Sequence, residues 1–291
     1  MNSGKLVILA GGISSRMKKP LEKKSNVDSH LIEDADTKSK SMIGVGKDYR
    51  PFLDYLLYNA RESGYSDVVI VVGEKDSSIR DYYGLKDSNN EFNGLRISYA
   101  IQPIPKERSK PYGTGDALLW GLKAKNEWKA QRFTVCNSDN LYSQKALRLM
   151  LDSKYKGALI DYDRAALEFE PSRIEKFAVT VKNEKGFLID IIEKPSSELI
   201  QQIQTKDGYV GVSMNIFSLE YDLIFPILEK LKPHLIRDEK ELPEAVKILA
   251  NKIQDSVSVY PLAEHVPDLT SKADIEQVKN YLEKYYYNLS F

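Results

Sequence analysis

The sequence predicts an α/β protein built on a mainly parallel sheet with helices over both faces. Three observations carry this. Short β-rich runs alternate with helical patterns along the first half of the chain. Those runs are mostly apolar throughout, as strands are when both of their faces are covered. The composition, 42% hydrophobic and 29% charged residues among 291, is that of a chain that folds. This length fits one large domain or two modest ones, at roughly 100–200 residues each.

Lys5–Ala10, Asp67–Val72, Arg96–Gln102 and Arg132–Asn137 read as the strands. Between them, Pro51–Ser63 reads as a helix. Its proline presets the first turn, Phe52, Tyr55, Leu56 and Asn59 share a stripe, and Gly64 stops it. Thr114–Lys125 and Gln144–Ser153 also read as helices. After residue 155 the rhythm changes. Gly157–Tyr162, Phe177–Lys182, Phe187–Glu193 and Tyr209–Phe217 follow closely as strands, so the sheet should gain a mixed extension. The chain then runs helix, strand, helix over Leu242–Asn251, Ser256–Tyr260 and Lys272–Tyr287. Lys18–Lys40 is rich in Lys, Glu, Asp and Ser and is expected to be a flexible surface loop. There is no internal repeat and no long Pro/Gly linker, so residues 1–291 are expected to form one domain.

Charge and composition narrow the function. Lys and Arg number 42 against 42 Asp and Glu, so no net positive charge favours nucleic acid, and none is expected as partner. The one cysteine, Cys136, excludes an intramolecular disulfide and suits a reducing compartment, so a cytoplasmic location is expected. The longest apolar runs, Leu6–Ala10 and Val68–Val72, fall far short of the ~20 residues of a membrane span, so no membrane partner is expected. The N-terminal run is also too short for the core of a signal peptide. The three histidines, His30, His234 and His265, lie outside every motif and read as structural or surface residues.

Strand Leu6–Ala10 runs into Gly11-Gly12-Ile13-Ser14-Ser15-Arg16-Met17. Adjacent glycines let the backbone approach a ligand closely. A turn of this kind leading into a helix would offer N–H groups to phosphate, with Ser14 and Ser15 adding hydroxyls and Arg16 a guanidinium. A plain strand-to-helix turn is the competing reading. The pattern is neither Gly-x-Gly-x-x-Gly nor a P-loop. Leu9-Ala10-Gly11-Gly12-x-Ser14-Ser15-Arg16-Met17 resembles the opening signature of the sugar-1-phosphate nucleotidylyltransferases, although that family usually has Gly-Thr where Ser14-Ser15 stand. The Ser-Ser form also resembles the molybdenum-cofactor guanylyltransferases, which share the fold. Six further segments follow in the family's order. Ser39-Lys40-Ser41-Met42-Ile43, then Pro51-Phe52-Leu53, resembles its Pro-Lys element, with Ser39 in place of proline. Gln102-Pro103 and Tyr112-Gly113-Thr114-Gly115 resemble its base-reading glutamine and Gly-rich turn. Ser138-Asp139-Asn140 resembles its metal motif, with Ser138 for glycine. Glu193-Lys194-Pro195 resembles its sugar-phosphate motif, Tyr209–Phe217 its sugar-pocket strand with Asn215, and Val266–Asp274 its second metal segment with Asp268.

The residues themselves allow these roles. An amide such as Gln102 offers one donor and one acceptor edge to a base. Asp139 follows a buried strand, where ligands bind in open α/β sheets, and a carboxylate is a natural partner of Mg²⁺. Bland readings stay open beside them. Asp139 could cap its loop, Asn215 could be a satisfied residue of a buried strand, and Thr270 or Ser271 could simply cap the last helix.

The resemblance implies a three-layer α/β/α Rossmann-like sandwich of the nucleotide-diphospho-sugar transferase type. Residues 1–155 would form its nucleotide-binding half and residues 156–291 its sugar-binding half with the C-terminal helices. It implies a nucleotidyltransferase that joins an NTP to a sugar 1-phosphate and releases pyrophosphate. UTP or dTTP and glucose 1-phosphate are the favoured pair, on family frequency and Gln102. It further implies Mg²⁺ on Asp139 and Asp268. Arg16, Lys40 and Lys194 would be the catalytic cations. Ala10, Gly11, Gly12, Ser14, Ser15, Gln102, Gly113 and Thr114 would hold nucleotide, and Glu193, Lys194 and Asn215 the sugar phosphate. A homo-oligomer is left open. Two alternatives stand: a cytidylyl- or guanylyltransferase acting on a non-sugar phosphate such as phosphocholine or a pterin cofactor, and a non-catalytic regulator that binds nucleotide sugars.

Overall fold

Strand β1 (Gly4–Ala10) is almost wholly buried, and its side chains divide between two cores. Leu6, Ile8 and Ala10 enter one, Val7 and Leu9 the other, because successive residues of a strand face opposite ways. Two apolar faces require a cover on each side, and the rest of the chain supplies both.

The computed structural model describes residues 3–20 and 28–289. After β1 come α1 (Ser29–Thr37), α2 (Phe52–Glu62), β2 (Tyr65–Gly73), α3 (Ser78–Tyr83), β3 (Asn90–Phe92) and β4 (Leu95–Gln102). The chain continues through α4 (Thr114–Ala124), β5 (Arg132–Asn137), α5 (Gln144–Asp152), β6 (Gly157–Asp163), α6 (Pro171–Ile174), β7 (Val179–Lys182) and β8 (Leu188–Ile192). It ends with α7 (Ser197–Ile203), β9 (Gly211–Glu220), α8 (Tyr221–Lys230), α9 (Leu242–Lys252), β10 (Val257–Leu262) and α10 (Ile275–Tyr285).

Helices α1, α2, α5 and α10 cover the first core through side chains such as Leu31, Phe52, Leu56, Leu147, Met150 and Val278. Helices α4, α8 and α9 cover the second through Leu118, Leu122, Ile224, Leu228, Val246 and Leu249. Each such side chain contributes about 1.5–3 kcal/mol of transfer free energy when fully buried. The result is the three-layer α/β/α sandwich that the sequence predicts.

The strand order is β10-β6-β9-β5-β1-β2-β4-β3. β1 pairs in parallel with β2 on one side and β5 on the other, and β2 pairs in parallel with β4. β9 runs antiparallel between β5 and β6, and β7 with β8 forms a hairpin joined to β9 at Val179 and Val212. The chain therefore leaves β1 toward β2 and β4, then returns to its other side as β5. Such a reversal opens a crevice beyond the carboxyl ends of β1 and β5, where ligands bind in α/β sheets.

The short elements α3, β3, α6 and α7 have no counterpart in the sequence reading, and three further departures bear on the core and the site. The expected loop at 18–40 contains α1, capped by Asp28, whose side chain accepts from the His30 amide at 2.9 Å. Leu31 and Ala35 bury themselves in the first core. Buried Asp34 accepts from the Gly44 amide and pairs with Lys38, and Asp36 pairs with Lys272 at 2.5 Å. Two apolar residues sufficed because sequence-distant partners meet the charges. The part of that expected loop at residues 21–27 lies outside the described residues. Second, no helix follows the glycines after β1. Residues 15–18 form a turn, and the Lys18 amide bonds the Ser14 carbonyl at 3.2 Å. Third, α8 carries Pro226 in its interior, which removes a helical hydrogen bond and hid the helix from propensity reasoning.

Candidate active site

The carboxyl end of β1 releases the chain into Gly11 and Gly12. Gly11 packs against the side chain of Gln102, from the end of β4. A Cβ built on Gly11 would sit 2.8 Å from Gln102 Oε1, so only glycine fits without displacing that amide. Ser14 adopts φ +53°, which bends the loop back, and buried Met17 anchors its far side. Arg16 is exposed, lines the cleft and makes no ion pair among the described residues. Ala10, Gly12 and Ser15 line the same wall.

Gln102 is 2% exposed, and its amide nitrogen donates to the Gly113 carbonyl and to Asp116 Oδ2, both at 2.9 Å. Its donor edge is thus engaged within the protein, and only the Oε1 edge is left for a base. Here the reading of Gln102 as a two-edged base reader is corrected: it also braces the Gly113 turn. Gly113 has φ +101° and ψ −167°, a conformation reserved for glycine. The loop before α9 rests on this turn. The Gly115 amide donates to the Lys240 carbonyl at 2.8 Å, and the Leu242 amide donates to Thr114 Oγ1 at 3.0 Å. Gly113→Ala is expected to cost about 1–3 kcal/mol of stability by forcing that conformation on a Cβ. Thermal melting of the variant checks it.

β5 ends at Asn137 and delivers Asp139 to the cleft. Asn140 and Asp268 form an antiparallel bridge, and the Leu269 amide donates to the Asp139 carbonyl at 2.8 Å. Two segments 129 residues apart thus bring two carboxylates together. Burial raises the Asp268 pKa, and the neighbouring Asp139 charge raises it further, while Arg173 and Lys40 act against the shift. Lys40 makes an ion pair with Asp139. Arg173 Nη2 lies 2.7 Å from Asp268 Oδ2, and Thr270 Oγ1 donates to Asp268 Oδ1 at 2.5 Å. Asp139 and Lys40 line the cleft, whereas Asp268 forms part of the wall of a second cavity. The two carboxylates fit a divalent cation, because Mg²⁺ needs only one or two protein carboxylates when phosphates and waters complete its shell.

At the other end, Glu193, Asn215, Glu239 and Glu241 line the cleft. Asn215 takes φ +56° inside β9, which asparagine tolerates better than most residues. Lys194, expected on the sugar phosphate, is not brought into the cleft. It is exposed at a position of φ +48° and does not line the cleft, whereas Glu193 does. Arg237 pairs with both Glu193 and Glu241, and Lys110 pairs with Glu239 at 2.6 Å. Sequence reasoning missed Lys110, Arg173, Arg237, Glu239 and Glu241. No local pattern marks them, because each acts through a partner far along the chain or in a loop without a motif.

Burial and the Glu193 charge push the Glu241 pKa up to about 7 from 4.5. A raised carboxyl pKa means that folding favours the protonated form. The stability tied to Glu241 is therefore complete below about pH 4.5 and lost as pH rises through about 7. The melting temperature of Glu241→Gln should accordingly gain on the parent protein between about pH 5 and about pH 8. A constant difference across that range would contradict the assignment.

Cys136 and the histidines take no part in this cleft. Burial pushes the Cys136 thiol far up, so it packs as an inert apolar group within β5. His265 borders the second cavity, and its Nδ1 accepts from the Glu168 amide at 3.1 Å.

The cleft has a volume of about 390 Å³. The second cavity, about 480 Å³, is bordered by Pro267, Asp268 and Ala273 but by no residue of the other motifs. The family model described as nucleotidyl transferase matches residues 5–264. Among solved structures, a UDP-glucose pyrophosphorylase complexed with UDP-glucose is 20% identical with a TM-score of 0.68, the match covering 97% of this chain and 99% of that one. A UDP-glucose pyrophosphorylase from Acinetobacter baumannii is 17% identical with a TM-score of 0.66, over 97% of this chain and 94% of that one. A UTP-bound UGPase from the same organism is 18% identical with a TM-score of 0.68, over the same shares. The likeness to these structures is one of fold. No helix among the described residues is long and apolar enough to cross a membrane. With the family model matching from β1 through β10, and the motifs of both carboxylates meeting at the reversal of strand order, this chain belongs to the nucleotidyl transferase family.

Proposed function

We propose that this protein joins a nucleoside triphosphate to a sugar 1-phosphate and releases pyrophosphate, in the cleft beyond β1 and β5. One observation carries the reading: a Gly-rich, Arg16-bearing loop and the carboxylate Asp139 line one crevice from separate parts of the sequence, and the bridge between Asn140 and Asp268 holds Asp268, in the wall of the neighbouring cavity, close to Asp139. The sugar-phosphate oxygen attacks the α-phosphorus, that bond forms as the bond to pyrophosphate breaks, and no protein nucleophile is needed. Alignment and neutralisation of charge supply the rate. Arg16 and the Gly11–Ser15 backbone take the phosphates, and Gly113 and Thr114 lie over the nucleotide. Lys40 is placed between Asp139 and the phosphates. Asp139 and Asp268 would hold Mg²⁺, which when bound offsets phosphate charge. Glu193, Asn215 and Glu241 receive the acceptor, and Lys194 is left out of the assignment. Residues 1–155 thus serve the nucleotide and residues 156–291 mainly the acceptor.

UTP with glucose 1-phosphate is the first pair to test, because similar folds carry UDP-glucose and UTP. A second reading has one observation in its favour. Glu193, Glu239 and Glu241 gather at the acceptor end against two cations, Arg237 and Lys110, and a cationic phosphate such as phosphocholine with CTP could exchange for one of those pairs. Pyrophosphate release decides, measured with five NTPs against glucose 1-phosphate and phosphocholine in Mg²⁺. Release with UTP or dTTP and the sugar phosphate supports the first reading. Release only with CTP and phosphocholine supports the second, and none with any pair leaves a nucleotide-sugar-binding regulator.

A further inference from the structure

Arg173 belongs to no motif. It sits in α6, a short turn opened by Pro171, yet its guanidinium spans two carboxylates. Nη2 lies 2.7 Å from Asp268 Oδ2 and Nη1 lies 2.5 Å from Asp274 Oδ1. The guanidinium carbon stands 4.5 Å from the centre of the Phe169 ring, so the plane of the fork is fixed as well. Asp274 is pinned in turn. Its Oδ2 accepts from the amides of Thr270 and Ser271 at 3.0 and 2.7 Å and from Ser271 Oγ at 3.0 Å. Thr270 closes the ring by donating from Oγ1 to Asp268 Oδ1. Asp268 is thus held at both oxygens, and each oxygen keeps a further lone pair for a cation.

Taking Asp139 and Asp268 as the cation pair proposed above, we infer that Arg173 is a positioning residue for Asp268, setting the affinity of that pair for a divalent ion. Two carboxylates side by side repel, and an unrestrained Asp268 would rotate away from Asp139. The fork prevents this by tying Asp268 to the rigid turn that opens the last helix. A lysine would supply the charge but not the two-armed geometry. Partners that orient a metal ligand without touching the metal are worth about 10–100-fold in metal affinity.

The test measures Mn²⁺ binding to the full chain, with and without UTP, from the loss of the free-ion paramagnetic resonance signal. Arg173→Ala is expected to weaken Mn²⁺ binding by about 10–100-fold, with Arg173→Lys between it and the parent. At saturating metal the KM for UTP should change less than about twofold. Unchanged or tighter Mn²⁺ binding in Arg173→Ala, while Asp268→Asn loses it, overturns the role of Arg173 and leaves the carboxylate pair intact. Binding in Asp268→Asn equal to that of the parent overturns the pair itself. A UTP KM that moves as far as the Mn²⁺ affinity shows a general structural role and also overturns the inference. Should the alanine variant fail to fold, the lysine variant carries the same test: weaker Mn²⁺ binding at an unchanged UTP KM supports the inference, and parent-like binding overturns it.

Discussion

Asp139→Asn is expected to lower Mg²⁺-saturated turnover by about 100- to 1,000-fold while the chain stays folded. The substitution keeps the size of the side chain but removes the charge that meets Lys40 and that would face a bound cation. Loss of one preorganised electrostatic contribution at the reacting phosphate has effects of this size. Asp268→Asn should fall in the same range, because the bridge between Asn140 and Asp268 makes the two carboxylates one unit. The double variant should then be little worse than either single one. Steady-state turnover beside circular dichroism checks this. Turnover near that of the parent in Asp139→Asn removes the residue from the site.

Arg16→Ala has the second largest expected effect. Arg16 is exposed on the cleft wall and makes no ion pair among the described residues, so its removal leaves no buried charge behind. Its loss should therefore appear in function and hardly in stability. A charge-assisted contact to phosphate is worth about 1.5–3 kcal/mol, or about 10- to 150-fold. That loss is expected in kcat/KM for the triphosphate, with the KM for the acceptor nearly unchanged. An unaltered triphosphate kcat/KM would place the phosphates elsewhere.

The legible parts of this molecule are those in which chemistry is written locally. β1, β2, β4 and β5 announce themselves because a strand buried on both faces must be apolar throughout. Gly11, Gly113 and Asp139 stand out in the sequence as candidates, and the fold brings all three to the lining of one cleft because each lies where a strand or turn meets the crevice. The illegible parts depend on distant partners. α1 carries only two apolar side chains into the core, and the charges that made it read as a loop are answered by Gly44 and Lys272. α8 is hidden by Pro226, whose cost tertiary packing offsets. Lys194 matches a motif, yet its side chain is exposed and does not line the cleft, an orientation that a match of residue types does not encode. Arg173 joins carboxylates 95 and 101 residues away and Arg237 one that is 44 away, distances that a reading of short patterns cannot bridge.

The reverse reaction tests the central claim most directly, because its substrate presents the nucleotide and the sugar to the cleft as one molecule. The parent protein, given UDP-glucose, pyrophosphate and Mg²⁺, is expected to yield UTP and glucose 1-phosphate in equal amounts, and Asp139→Asn to yield almost none. Failure of the parent protein to cleave UDP-glucose, dTDP-glucose or any other nucleotide sugar with pyrophosphate would contradict the account.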